Sequence, residues 1–121
     1  MKQFILVFIG GGLGSVARYA TARFSWLIYK GEFPLGTLLS NLLSCTILAF
    51  FILYFQEKFI DSWWKLLIVT GFCGGYSTFS AYSYESVALF KSGHTFLFAA
   101  NILTNLIFGF LLIYLLISKS P

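Results

Sequence analysis

Four long apolar stretches restrict this chain to few kinds of fold. They cover residues 3–28, 34–55, 63–90 and 95–118, with short polar breaks between them. A helix that crosses the hydrocarbon core of a bilayer needs about 20 mainly apolar residues, and each stretch reaches that length. With 59% hydrophobic and 10% charged residues, the chain is far more apolar than an ordinary soluble domain. We expect an all-α membrane protein with four transmembrane helices in a single domain, residues 1–121.

The breaks between these stretches hold charges and turn residues. Their sequences are KGEFP at 30–34, QEKFIDS at 56–62 and KSGHT at 91–95. Gly31 is expected to end the first span, and Gly93 predicts a turn before a helix that Thr95 caps. The first span continues through Arg18 and Arg23 without a small-residue cleavage site, so we expect it to be retained. The breaks therefore predict loops within one membrane-embedded unit.

The glycine-rich sequence IGGGLGSVARY near the N-terminus admits two interpretations. Gly12, Gly14 and Ala17 fit the G-x-G-x-x-G/A pattern of a dinucleotide-binding turn. That fold needs further strands alternating with amphipathic helices, whereas the remaining segments are apolar nearly all round and of spanning length. We therefore predict a packing face, in which Gly10 and Gly14 let another backbone approach closely. The second span carries a similar stripe of small residues: Gly36, Ser40 and Ser44.

The basic residues are few and scattered. The formal net charge is +4, but no basic patch indicates nucleic-acid binding. With four spans, the lysines and arginines near the two membrane faces are divided almost evenly, as Lys2, Lys58, Lys65 and Lys119 against Arg23, Lys30 and Lys91. The positive-inside rule then predicts no strong orientation. A chain that inserts both ways can pair with itself as an antiparallel dimer.

The third span contains the strongest local signal, GFCGGYSTFSAYSYES at residues 71–86. Three glycines and a run of hydroxyl residues predict an interrupted helix, whose free carbonyl groups need side chains, water or an ion at membrane depth. After the interruption Phe79 and Tyr82 are three residues apart, so both rings can face the same way. Ser80 and Ser83 have the same spacing on the adjacent side. Such interruptions often mark ion sites.

Polar side chains at membrane depth are the other informative group: Arg18, Asn41, Glu85, Asn101 and Asn105. Each is costly there unless it faces protein, water or a permeating substrate. Hydrogen bonding between helices would explain Asn101 and Asn105 individually, and a position close to the membrane surface would explain Glu85. Packing explains Arg18 less easily. No catalytic constellation accompanies these residues, and we expect no enzymatic activity.

Three motifs in order, GGGLGSVARY, GTLLSN and GFCGGYSTFS, resemble those of the Fluc (CrcB-type) fluoride channels. The resemblance runs over essentially the whole chain. It implies a channel in the cell membrane that lets fluoride leave passively and so lowers cytoplasmic fluoride. It also implies an antiparallel homodimer of dual-topology subunits in the lipid bilayer. Each subunit would have four transmembrane helices, the third of them broken, and the dimer would hold two pores at its interface and a central structural sodium ion.

The same resemblance suggests which residues line the pore. Asn41 matches the pore asparagine of the second helix, and Phe79 matches the first of two phenylalanines along the fluoride path. Tyr82 stands at the second of these positions. Fluoride is small and strongly hydrated, so its path must offer ring edges and hydroxyl and amide donors in place of water. Ser80 and Ser83 add hydroxyl groups to that set.

Two further roles follow from the resemblance. Arg18 would attract anions into an aqueous vestibule, and the backbone carbonyls of Gly74 and Ser77, contributed by both subunits, would hold the sodium ion. The chain also departs from the family pattern, since Tyr82 replaces the usual phenylalanine and Ala81 and Ser77 replace frequent threonines. These departures concern conductance and leave the expected fold unchanged.

Two other functions are compatible with a chain of this size. One is a small four-helix multidrug exporter, which relies on a membrane-embedded acid in its first helix. Here that helix carries Arg18 and Arg23 and no acid, which disfavours cation export. The other is a non-transporting membrane assembly subunit, which predicts no ion flux.

Overall fold

The computed structural model describes residues 1–55 and 62–119. This part of the chain is helical and contains no strand. Its elements are α1 (Lys2–Ile28), α2 (Leu35–Phe55), a π-helix named π1 (Lys65–Cys73), α3 (Gly74–Tyr76), α4 (Phe79–Lys91) and α5 (Thr95–Ile117). Three of them, α1, α2 and α5, are long and apolar enough to cross a membrane. The all-α class and three predicted spans are thereby confirmed; the loop predicted at 56–62 lies, except for Ser62, outside the described residues.

Residues 63–90, where the sequence predicts a further span, form several shorter helical elements. The i→i−5 hydrogen bonding of π1 ends at Cys73, and the single turn α3 ends at Tyr76. Ser77 (φ −74°, ψ 154°) and Thr78 (φ −150°, ψ 114°) are extended, and α4 begins at Phe79. Extended backbone cannot continue a helical hydrogen-bond ladder, so the polar groups on either side of this pair need other partners.

Helix α1 packs closely on π1 and α3 through its glycines. A methyl group at Gly10 would overlap the carbonyl oxygen of Leu67, and one at Gly14 would overlap that of Phe72. Only a residue without a Cβ lets the backbones come this near, which is the usual means of packing where lipid offers no hydrophobic drive. The predicted packing face of α1 is confirmed.

The small residues of α2 also face neighbouring helices. Gly36 lies against Ala22 of α1, where an added Cβ would be 3.0 Å from the Ala22 Cα. Ser40 is fully buried, and the buried Ser44 donates a hydrogen bond of 3.0 Å to the carbonyl oxygen of Cys73. The stripe predicted on α2 is therefore a packing face, which joins the helix to α1 and π1.

The helix ends differ from two of the sequence predictions. Helix α1 ends at Ile28 with an extended C-cap residue, Tyr29 (φ −133°), so Gly31 is not its cap. Thr95 is the first residue of α5 and not its N-cap, which is His94 and makes no side-chain capping bond. The turn itself is confirmed at Gly93, whose φ of 86° is in the left-handed region that glycine favours.

The outer surface is rich in large apolar side chains. Phe8 of α1 is 81% exposed, Phe96 of α5 is 82% exposed, and many other large hydrophobic residues are similarly placed. Such a surface is unfavourable in water and suits contact with lipid or with another protein chain. With its long apolar helices, the chain is a multi-pass membrane protein.

Candidate functional site

The extended pair before α4 is held by α2. The backbone N–H of Thr78 donates to Oδ1 of Asn41 at 2.8 Å. The Thr78 hydroxyl accepts from the backbone N–H of Ala81 at 3.2 Å and caps the N-terminus of α4. Thr78 is only 7% exposed, so these two bonds replace water that cannot reach it.

Asn41 begins a chain of side-chain amides that crosses to α5 and returns to α4. Its Nδ2 donates to Oδ1 of Asn105 at 3.0 Å, and Nδ2 of Asn105 donates to Oδ1 of Asn101 at 3.0 Å. Nδ2 of Asn101 then donates to the Ser86 hydroxyl at 2.9 Å. We call Asn41, Asn105, Asn101 and Ser86 the amide relay. The interhelical bonding predicted for Asn101 and Asn105 is confirmed.

The predicted aromatic pair lies on the first turn of α4. The rings of Phe79 and Tyr82 contact each other, with centroids 5.8 Å apart and planes at 49°. Phe79 is 79% exposed, whereas Tyr82 is half-buried. Ser80 is exposed and Ser83 is half-buried beside them. The aromatic pair is thus adjacent to Thr78 and therefore to Asn41.

The other predicted site residues are placed differently. Arg18 is half-buried on α1, and in the described part of the chain no hydrogen bond or ring contact joins it to the residues above. Gly74 is exposed, and a Cβ added there would meet no atom within 4 Å. Ser77 donates to the Cys73 carbonyl oxygen from its hydroxyl at 2.8 Å and from its N–H at 3.0 Å.

The structure adds polar residues that sequence reasoning did not assign to a site. Thr78 and Ser86 are two of them, and for Thr78 a signal existed, since a threonine directly before a helix is a typical N-cap. The third is Thr37, whose hydroxyl donates to Oε1 of Glu85 at 2.8 Å. Oε2 of Glu85 is buried without a hydrogen-bond partner among the described residues. Both residues line a cavity of about 220 Å³ between the end of α1 and the start of α2.

Long apolar helices around a partly buried amide network define a small multi-pass membrane protein with a polar centre. The family model described as "CrcB-like protein, Camphor Resistance (CrcB)" matches residues 5–117, and the chain belongs to this family.

Several curated relatives cover nearly the whole chain. The Fluoride-specific ion channel FluC of Koribacter versatilis (strain Ellin345) is 44% identical over 106 residues, which are 87% of this chain and 84% of the relative. The protein of the same name in Pyrococcus abyssi is 40% identical over 117 residues, 95% of this chain and 93% of the relative. That of Pyrococcus horikoshii is 41% identical over 115 residues, 94% and 92% of the two chains.

Proposed function

We propose that this chain is a subunit of a fluoride-selective channel, which lets fluoride leave the cell passively and lowers its cytoplasmic concentration. The observation that carries the proposal is the contact between Asn41 and the Thr78 amide beside the Phe79–Tyr82 ring pair. In this proposal the extended residues Ser77 and Thr78 interrupt the third span. The names of the relatives and membership of the CrcB family support the same function.

The chemistry of this site suits a small, strongly hydrated anion. Such an ion crosses only where donors and positive ring edges replace its water without binding it too tightly. The amide nitrogen of Asn41 has two hydrogens, and the bond to Asn105 uses one of them. The second hydrogen, the hydroxyls of Ser80 and Ser83 and the ring edges of Phe79 and Tyr82 form the proposed fluoride path.

A single subunit leaves this path open on one side. Phe79 is 79% exposed, so its ring lacks the protein surroundings that would exclude lipid. We propose that a second, antiparallel copy closes it, which gives two pores at the dimer interface. The even distribution of basic residues supports insertion in both orientations. Arg18 would then raise the positive potential of an aqueous vestibule and concentrate anions there.

We propose that the carbonyl groups near the interruption hold a structural sodium ion. In a continuous helix, the N–H of Thr78 would bond the Gly74 carbonyl, and that of Ala81 would bond the Ser77 carbonyl. Here both donors go to side-chain oxygens instead, those of Asn41 and of Thr78 itself. Carbonyl oxygens suit a hard cation, and Gly74 is exposed. When bound, the ion would supply positive charge to these carbonyls.

Ion replacement tests the sodium proposal. Exchange of sodium for N-methylglucamine in the purified protein should weaken the dimer and reduce fluoride flux, because the carbonyls of Gly74 and Ser77 would lose their ligand. Cross-linking yield and efflux report the two effects. Unchanged assembly and flux would contradict a structural role for sodium.

Reconstitution in liposomes tests the channel function. Fluoride efflux is recorded with a fluoride electrode, and chloride efflux from the same vesicles is the control. Fast loss of fluoride with retention of chloride is expected. Proton-coupled uptake of a cationic dye would instead indicate a multidrug exporter. Absence of both fluoride efflux and dye uptake would indicate a non-transporting assembly subunit.

Replacement of one aromatic ring tests the path itself. Phe79→Ile should reduce fluoride efflux to near the background of empty vesicles, because an aliphatic side chain offers no positive ring edge. Phe96→Ile is the matched control, since Phe96 is similarly exposed at 82% but lies on α5. Gel filtration of both variants checks that the dimer remains. Equal efflux in the two variants would remove Phe79 from the path.

A further inference from the structure

The hydrogen bonds that start at Thr78, the N-cap of α4, end at Tyr82 within that helix, four residues later. The Thr78 N–H donates to Asn41, and the amide relay carries the sequence of bonds through Asn105 and Asn101 to Ser86. The Ser86 hydroxyl then donates to the carbonyl oxygen of Tyr82 at 2.7 Å. Each side chain of the amide relay accepts one of these bonds and donates the next. Bonds aligned in this way polarise and strengthen one another.

Asn101 is the member of the amide relay that joins α5 to α4. It is 0% exposed, and Ser86 is 5% exposed, so water cannot take the place of either partner. Its Nδ2 is bonded to Ser86 and its Oδ1 to Asn105, and its backbone carbonyl accepts a second Asn105 contact at 2.9 Å. Removal of this one amide leaves the buried Ser86 without this donor and the half-buried Asn105 without the Oδ1 acceptor of Asn101.

The amide relay is bonded to the backbone on both sides of the aromatic pair. The Thr78 N–H, just before Phe79, donates to Asn41 at one end of the relay, and the Tyr82 carbonyl accepts from Ser86 at the other end. Phe79 is largely exposed within the subunit, so its own side chain does little to fix the first turn of α4. Hydrogen bonds hold the backbone at both ends of this turn.

We propose that Asn101 is a positioning residue: through Asn105 and Ser86 it sets the direction of the first turn of α4 and thus of the Phe79 and Tyr82 rings. The role in permeation rests on the proposed channel function. The role in holding the turn does not, because it concerns hydrogen bonds that exist whatever the protein transports.

Three variants of the complete protein test this role. Asn101→Ala removes the central amide, Ser86→Ala removes the hydroxyl that returns to α4, and the double variant removes both. Ser86→Thr keeps the hydroxyl and is the conservative rescue. Ser40→Ala is the control, because Ser40 is equally buried and its side chain bonds, among the described residues, to the carbonyl of Gly36 within its own helix.

The first measurement is amide hydrogen exchange at Thr78 in detergent micelles. We expect Asn101→Ala to accelerate exchange of the Thr78 amide by about tenfold, since the loss of one well-placed buried hydrogen bond shifts an equilibrium by roughly this factor. Ser40→Ala should leave it unchanged. Unchanged Thr78 exchange in Asn101→Ala, or an equal acceleration in Ser40→Ala, would overturn the proposal, even for a protein that transports nothing.

The second measurement is fluoride efflux from liposomes, with gel filtration to verify the dimer. Asn101→Ala and Ser86→Ala should each reduce efflux by about tenfold, and the double variant no further, because members of one network are not additive. Ser86→Thr should retain most of the flux. Fast Thr78 exchange with unchanged efflux, or additive losses in the double variant, would refute the positioning role. Absence of efflux in the unmodified protein would refute the channel function alone, and the exchange result would then decide whether Asn101 holds the turn.

Discussion

The cap of α4 allows a test in which a single hydroxyl is removed at nearly constant shape. Thr78→Val keeps the branched side chain and the backbone N–H that donates to Oδ1 of Asn41. It removes the oxygen that accepts from the Ala81 N–H at 3.2 Å and that also lies 3.4 Å from the Ser80 hydroxyl oxygen. The start of the helix that carries the aromatic pair then has an unbonded donor. Thr78→Ser is the matched control, because it retains the hydroxyl and loses one methyl group.

The size of the effect follows from the burial of this cap. Loss of a serine or threonine N-cap costs about 0.5–2 kcal/mol. Because Thr78 is 7% exposed, water cannot replace the missing oxygen, and we expect a value in the upper half of that range. A cost of about 1.4 kcal/mol corresponds to a tenfold change in an equilibrium. The first turn of α4 should therefore open about ten times more often in Thr78→Val.

Hydrogen exchange of the Ala81 amide measures this opening directly. It should be about tenfold faster in Thr78→Val and unchanged in Thr78→Ser. Fluoride efflux should be reduced in Thr78→Val and nearly unchanged in Thr78→Ser, because an opened turn does not hold the aromatic pair in place. If Ala81 exchanges at the same rate in Thr78→Val as in the unmodified protein, the hydroxyl is not a cap and the reasoning fails.

Two further substitutions test the packing of α1 on π1 and the hydrogen bond between Thr37 and Glu85. Gly10→Ala should lower the free energy of unfolding in mixed micelles by about 1–3 kcal/mol, because the new methyl overlaps the Leu67 carbonyl oxygen. Gly12→Ala, with nothing within 4 Å of its added Cβ, should instead be neutral or stabilise by up to about 1 kcal/mol; equal effects would contradict the close packing of α1. Thr37→Val should destabilise by about 1–3 kcal/mol, since both carboxyl oxygens of Glu85 would then lack partners. Thr37→Ser should behave like the unmodified protein, and a neutral Thr37→Val would show that this hydrogen bond contributes nothing.

Sequence reasoning predicted the elements better than their ends. Spanning length and apolar composition are properties of local sequence, and they correctly predicted α1, α2 and α5. The close approach at Gly10 was also predictable, since glycine has few other uses in an apolar helix. The ends were not, because His94 is an N-cap that makes no side-chain capping bond and the C-cap Tyr29 is an extended tyrosine, not a glycine. Their positions depend on how the helices meet their neighbours.

The composition of the candidate site was likewise visible along the chain, but its connections were not. Asn41, Phe79 and Tyr82 stand out as polar or paired aromatic residues in apolar surroundings. Ser86 does not, because a serine within an apolar helix usually bonds to its own backbone.

The sequence by itself determined that this chain is a helical membrane protein with polar groups inside, because hydrophobicity and helix periodicity act over neighbouring residues. Only the tertiary structure decided which polar groups pair. The bond from Asn41 to Thr78 spans 37 positions, and that from Asn41 to Asn105 spans 64. Hydrogen bonds form within about 3 Å and depend on direction, so partners far apart in the sequence meet only after three helices have packed.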